Sequence, residues 1–140
     1  MGSDARLRQG TTAWFEMVGT MMCEAATRAA LSTALSLSLV ERYTEGVELS
    51  DGLVQGLRFD IVAGTPSFRA GVQPNERAAV TIEITAAAAR TLNLLRSDDP
   101  AFHAALDGFR RSGAMRVDGD PSQFGRWLEQ LHDPIVALTR

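Results

Sequence analysis

The sequence predicts an α+β domain: a five-stranded, mostly antiparallel sheet with helices packed on one of its faces. Three observations lead there. Ala79-Val80-Thr81-Ile82-Glu83-Ile84-Thr85 alternates apolar and polar side chains, the period of a strand buried on one side. Three more alternating or strand-like runs, Leu35–Leu39, Leu57–Ile61 and Ser67–Val72, precede it and are separated by turn residues. Helical patterns flank the strands, each opening on a capping residue.

Taken in order, Thr11 or Thr12 caps a first helix that runs to about Leu31. Trp14, Met17, Val18, Met21, Met22 and Ala25 recur along it at helical spacing, and Gly19 weakens its interior by about 1 kcal/mol relative to alanine. Leu35-Ser-Leu-Ser-Leu39 then changes the period to two. Glu45-Gly46 and Asp51-Gly52 are turn dipeptides. Leu57-Arg-Phe-Asp-Ile61 alternates and stops at Gly64-Thr65-Pro66, and Ser67–Val72 stops at Gln73-Pro74-Asn75. Strands this close in sequence are expected to pair as an antiparallel meander, with Ala79–Thr85 as its fourth member.

Thr85 caps a helix over Ala86–Leu95. Asp99-Pro100 opens another, with Phe102, Ala105, Leu106 and Phe109 on one face and an end near Gly113. Met115–Asp118 is the fifth strand. Asp120-Pro121 repeats the cap signal for a last amphipathic helix carrying Phe124, Trp127, Leu128 and Leu131, and Asp133-Pro134 breaks it and opens a short final turn. Residues 1–10 read as a flexible N-terminus in which Met1-Gly2-Ser3 is a cloning remnant, and residues 11–140 as a single domain.

In this arrangement Leu35, Leu37, Leu39, Leu57, Phe59, Ile61, Val80, Ile82 and Ile84 point toward the helices. Arg58, Asp60, Arg69 and Glu83, with the hydroxyls of Ser36 and Ser38, point to a solvated outer face where opposite charges pair across strands.

Composition excludes several function classes. The net charge of −3 argues against nucleic acid as a partner. All 14 basic residues are arginine, so Schiff-base and phosphate-loop lysine chemistry is excluded. A single cysteine, Cys23, allows neither an internal disulfide nor a multi-cysteine metal site, and its apolar helical setting suits an inert thiol. Glu16 interrupts the only early apolar run, so no secretory signal is read. Ala29–Val40 falls short of the roughly 20 residues that span a bilayer. A cytoplasmic protein without an integral membrane segment is the expectation. His103 and His132 fall on the polar sides of different helices, and no metal or cofactor motif accompanies them.

Met17, Met21, Met22 and Met115 raise the question of whether the interior is a solid core or a cavity. Methionine fills gaps in ordinary cores and also adapts to varied ligands. Glu41 and Tyr43 are the candidate chemistry. If the first strand keeps its alternation they share the inner face, where a carboxyl has a raised pKa and could move a proton, and where a phenol could donate to an oxyanion. If the strand ends near Val40, both reach water. Arg110, Arg111 and Arg116 form a small basic cluster that could hold an anionic head group or simply favour a helix C-terminus.

The second half resembles the sterol carrier protein domain family, the type-2 lipid-transfer fold. The resemblance rests on Ala79-Val80-Thr81-Ile82 leading into a helix, and on Gly113-Ala-Met-Arg116-Val117-Asp118-Gly119-Asp120, similar to the family's closing strand before its last helix. The upstream strand order agrees over roughly Leu35–Leu131, and Ala79 stands where the family has aspartate. The resemblance implies an apolar tunnel between sheet and helices that binds sterols, fatty acyl chains or acyl-CoA without chemistry. Tunnel-lining roles fall on Phe102, Phe109, Met115, Trp127 and Leu131, joined by Met17, Met21 and the inward Phe59.

The function expected is binding or carrying of an apolar small molecule: a sterol, a fatty acyl chain or a polyketide-like ligand. The alternative is a small cofactor-independent cyclase or isomerase of secondary metabolism with Glu41 as general acid/base and Tyr43 beside it. A third use of the Met-rich first helix is docking a partner or a second copy as a homodimer.

Overall fold

The computed structural model describes residues 5–140, and Met1-Gly2-Ser3 lies outside them. The chain order is α1 (Thr12–Arg28), β1 (Leu37–Thr44), β2 (Glu48–Ser50), β3 (Leu53–Val62), β4 (Thr65–Val72), β5 (Val80–Thr85), α2 (Ala86–Asn93), α3 (Pro100–Ser112), β6 (Met115–Asp118), a 3₁₀ turn (Pro121–Phe124), α4 (Arg126–Glu129) and α5 (His132–Ala137). The fold is α+β, with one mixed sheet of six strands rather than five.

The added strand is β2. It carries on along β3 past the end of β1: Arg42 lies opposite Gly56, and Glu48 lies opposite Val54. Glu45 and Gly46 lie in the turn between the two pieces, with Glu45 at φ 57° and Gly46 N donating to the Tyr43 carbonyl. Two turns then fix the register of the hairpins. Asp51-Gly52 (φ 46° and 80°) joins β2 to β3, and Ala63-Gly64 (φ 50° and 81°) joins β3 to β4. Two successive residues with positive φ are the type I′ geometry that matches the strand twist. Pro66 sits within β4, where an edge strand tolerates its missing N–H.

The expected meander ends at β4. β5 pairs with β1, in parallel, with Leu39 opposite Val80 and Tyr43 opposite Ile84. β6 then closes the other edge, antiparallel to β5. The physical reason is the connection over residues 73–79, which crosses the outer face of β3 and β1 instead of turning back. Outer side chains hold it there. Arg42 donates to the Pro74 carbonyl, and Arg58 reaches Glu76 at 3.0 Å. Thr81 Oγ1 accepts from Ala78 N at 3.0 Å and donates to Ala78 O. Arg69 also pairs with Glu76, and Arg77 with Asp118. Burial opposes the charge on Glu76, yet hydrogen bonds from Gln73 and Arg58 and the charge of Arg69 hold its carboxyl below its usual range. The outer face is therefore roofed at its centre rather than solvated, which is why Val40, an outward residue of β1, is 0% exposed.

The helices cover the inner face. α1 lies across β4 and β3, and its close approach depends on Gly19: a Cβ there would stand 2.1 Å from the Phe68 ring of β4. α1 buries Trp14, Phe15, Val18, Gly19, Met22, Ala25 and Ala26, so Met17 and Met21 lie on the flank of this stripe, half-buried. α2 and α3 cover β5 and β6.

The single last helix expected from Pro121 to Leu131 is two short pieces, the 3₁₀ turn and α4, and α5 begins beyond it at His132. Gly125, at φ 116° and ψ 170°, breaks it, and Trp127 Nε1 donates to the freed Phe124 carbonyl at 2.8 Å. Breaking the helix lets Phe124, Leu131 and Ile135 each bury separately against the core. The end of this segment meets the start of the chain. Leu7 N donates to Leu138 O at 2.8 Å, and Trp14 Nε1 donates to Thr139 Oγ1 at 2.9 Å. Among the described residues, no helix is long and apolar enough to cross a membrane.

Gly19 yields a test with an inverted sign. Alanine is the better helix former by about 1 kcal/mol, but overpacking against a ring in a filled core costs about 1–3 kcal/mol. Gly19→Ala is therefore expected to lower stability in urea unfolding, and Gly19→Ala combined with Phe68→Leu to recover part of the loss. A more stable Gly19→Ala protein would contradict the packing.

Candidate functional site

β1 is hydrogen-bonded on both sides, which keeps it extended to Thr44 and sustains its alternation past Val40. Glu41 therefore shares the inner face with Leu39. Its cross-strand neighbours are Leu57 on β3 and Ile82 on β5, both apolar. These residues form the floor of a cavity of about 220 Å³. Trp14, Phe15, Val18 and Met22 of α1 make one wall. Asn93 at the end of α2, Leu128 and Glu129 of α4, and Leu131, His132 and Ile135 at and beyond it make the remainder. Glu129 is exposed and marks where the lining meets solvent.

The wall is mainly apolar, and its polar groups are few. Glu41 lies deep in the protein, and the surface its side chain retains faces the cavity. Among the described residues its carboxyl has neither a hydrogen bond nor an ion pair. Burial accordingly pushes its pKa from 4.5 up to about 7. Tyr43, two residues on, is 2% exposed and stands behind the lining rather than in it. Its hydroxyl accepts from Gln9 Nε2 at 2.7 Å, and the same amide reaches Asn93 Oδ1 at 3.3 Å. Burial, then the nearby Glu41 charge, pushes the Tyr43 phenol well above its ordinary range despite the Gln9 hydrogen bond, so it stays neutral.

His132 belongs to the site, contrary to its expected place on a polar helix face. Its Nε2 donates to Leu95 O at 2.7 Å, and the Phe102 ring packs on it with centroids 4.5 Å apart. Nδ1 remains as an acceptor in that tautomer. Among the described residues, no three histidine, cysteine or acidic side chains gather to hold a metal ion. Burial and then the neighbouring Glu24 raise the Cys23 thiol pKa, against a reactive thiolate.

Of the residues given a site role in the sequence, the cavity gathers Glu41 and Leu131; Met22 of the methionine set and the inward Leu39, Leu57 and Ile82 line it too. The others lie elsewhere. Phe59 is fully buried beneath Phe124 and Trp127. Trp127 borders a separate hollow beside Ala25 and Pro134, and Phe102 lines an open groove with His103, Leu106 and Asp133. Met17, Met21, Phe109 and Met115 pack half-buried around the core. Arg110, Arg111 and Arg116 are exposed and do not line the cavity; Arg116 lies opposite Glu83, on the other side of β6 from Met115. The residues missed are Trp14 and Val18, which continue at four-residue spacing to Met22 on α1, together with Asn93 and His132. The four-residue spacing was available as a signal; nothing local marked Asn93 or His132.

No family model matches the chain, and no curated protein matches it. Solved structures do. One is the solution structure of a conserved hypothetical protein from Thermus thermophilus, suggested to be a sterol carrier protein. It is 14% identical, with 96% of this chain and 92% of that chain covered and a TM-score of 0.53. A crystal structure of sterol carrier protein 2 is 16% identical, covering 94% and 96% at a TM-score of 0.48. A double mutant of a sec-alkyl sulfatase is 18% identical at a TM-score of 0.44, and the match covers 74% of this chain but only 14% of that one. The chain has a sterol-carrier-like fold.

The buried carboxyl makes stability pH-dependent. Folding raises the Glu41 pKa, so the unfolded chain releases this proton at lower pH than the native one. The contribution is full below the unfolded value near 4.5 and is lost as pH rises through about 7. Glu41→Gln is expected to gain on the wild type by up to roughly 3 kcal/mol between about pH 5 and pH 8 in urea unfolding. An equal difference at both pH values would contradict the placement of the carboxyl.

Proposed function

We propose that this protein binds a compact apolar small molecule in the cavity above Glu41, Leu57 and Ile82. The observation that carries the reading is the cavity itself, about 220 Å³ with a largely apolar lining. Protein interiors ordinarily close such space. The hollow reaches solvent beside Glu129, so its apolar lining stands uncovered, and a guest that covers it removes apolar surface from water at roughly 25 cal/mol per Å².

The size bears on the guest. Benzene occupies an engineered cavity of about 150 Å³, and drug-sized sites span about 300–1,000 Å³. The room here suits one or two rings or a short branched chain. A sterol or a long acyl chain would need α1 and the α4–α5 segment to move apart, or would place only one end inside. The sterol-carrier-like fold supports a binding role for this space.

Indole and naphthalene are suitable probes. Each is expected to raise the melting temperature saturably, by a few degrees at about a hundredfold excess over Kd. Ile82→Phe fills the floor and is expected to abolish the shift without lowering the unliganded melting temperature. No shift with either probe, or the same shift in Ile82→Phe, would overturn the reading.

A further inference from the structure

The charge lining the cavity narrows the class of guest beyond its apolar body. The chain carries 14 arginines and no lysine, yet none of the arginines lines the cavity. Its ionisable lining consists of Glu41, Glu129 and His132. Every element facing the cavity fits this pattern: α1 presents only apolar side chains, β3 and β5 present Leu57 and Ile82, α2 presents the neutral Asn93, and Tyr43 behind β1 is a neutral phenol. His132 spends its Nε2 proton on the Leu95 carbonyl. Asn93 Oδ1 accepts from Gln9. The Glu41 carboxyl thus stands in an apolar pocket without a partner from the protein.

Such a group is costly unless something pairs with it. An anionic guest would bring a second carboxylate against Glu41, with Glu129 at the rim, and would find no arginine to meet it. A neutral hydrocarbon would leave the carboxyl as it is. A basic amine would supply the missing partner, as a charge-assisted hydrogen bond to a half-buried carboxyl.

We propose that the pocket selects a small hydrophobe bearing a basic amine, with the ammonium on Glu41 and the apolar body against Leu57, Ile82 and the α1 wall, and that it rejects carboxylates such as free fatty acids. This rests on the apolar-cavity reading above.

Three near-isosteric probes separate the two claims: phenethylamine, phenethyl alcohol and phenylacetate, measured by calorimetry or ligand-observed NMR at about pH 8. The wild type is expected to bind the amine roughly tenfold or more tighter than the alcohol, and the alcohol tighter than phenylacetate. In Glu41→Gln the amine-to-alcohol ratio is expected to collapse toward one. If the alcohol binds and the amine binds no better, the charge-selection inference is overturned and the cavity reading stands. If the amine preference persists undiminished in Glu41→Gln, Glu41 is not its source and the inference is likewise overturned. If none of the three binds a wild type whose melting temperature indole raises, the charge-selection inference falls and the cavity reading stands; if indole fails as well, both fall. The wild-type series decides the matter alone should the variant fold poorly.

Discussion

β1 is the strand on which the architecture depends, because it is paired along its length with antiparallel β3 on one side and parallel β5 on the other. The parallel pair requires a crossover, and residues 73–79 supply it over the outer face, anchored by Arg42, Arg58 and Thr81. With both neighbours in place, β1 cannot fray at Val40, and its alternation continues through Tyr43. That continuity carries a carboxylate to the centre of an otherwise greasy face. Without the crossover, β1 would be an edge strand, and Glu41 could turn to water.

The helical layer determines what lies above that carboxylate. α1 packs most closely on the sheet over β4, where Gly19 admits the Phe68 ring. Over β1 the cover is provided by Trp14, Phe15 and Val18 from one side and by the broken α4–α5 segment from the other. Gly125 interrupts what would have been a continuous helix, and short pieces cannot seal a flat sheet as a long helix does. Space is left where the two covers meet. Uncovered apolar lining and an unpartnered acid in the same place are each unfavourable for folding alone. Their coincidence is the feature that a binding role explains and that core packing does not.

Much of the fold was legible in the residues. The caps at Thr11, Thr85, Asp99 and Asp120 each accept the expected backbone N–H. The alternation in Leu57–Ile61 and Val80–Ile84 marks true strands with Leu57, Phe59, Val80 and Ile84 buried. What could not be read was pairing. Nothing in Gln73–Ala79 announces that it crosses a face rather than turning, since its anchors include arginines 18 and 32 residues away in sequence. Glu48-Leu49-Ser50, between two turn dipeptides, was too short to distinguish as a strand. The site was half legible for the same reason. Glu41 followed from a local period, whereas Asn93 and His132 reach the cavity only through the way α2 and α5 dock. Met17 and Met21 were misplaced by one step of the helix, because the buried stripe follows Trp14, Val18 and Met22.

Xenon-pressurised crystallography tests the central claim most directly, because xenon enters apolar space irrespective of what the natural guest is. The account predicts an ordered xenon peak bounded by Val18, Leu39, Leu57, Ile82 and Ile135, with the surrounding backbone unmoved. An interior there filled by its own side chains, with no xenon bound between the sheet and the α4–α5 segment, would contradict it.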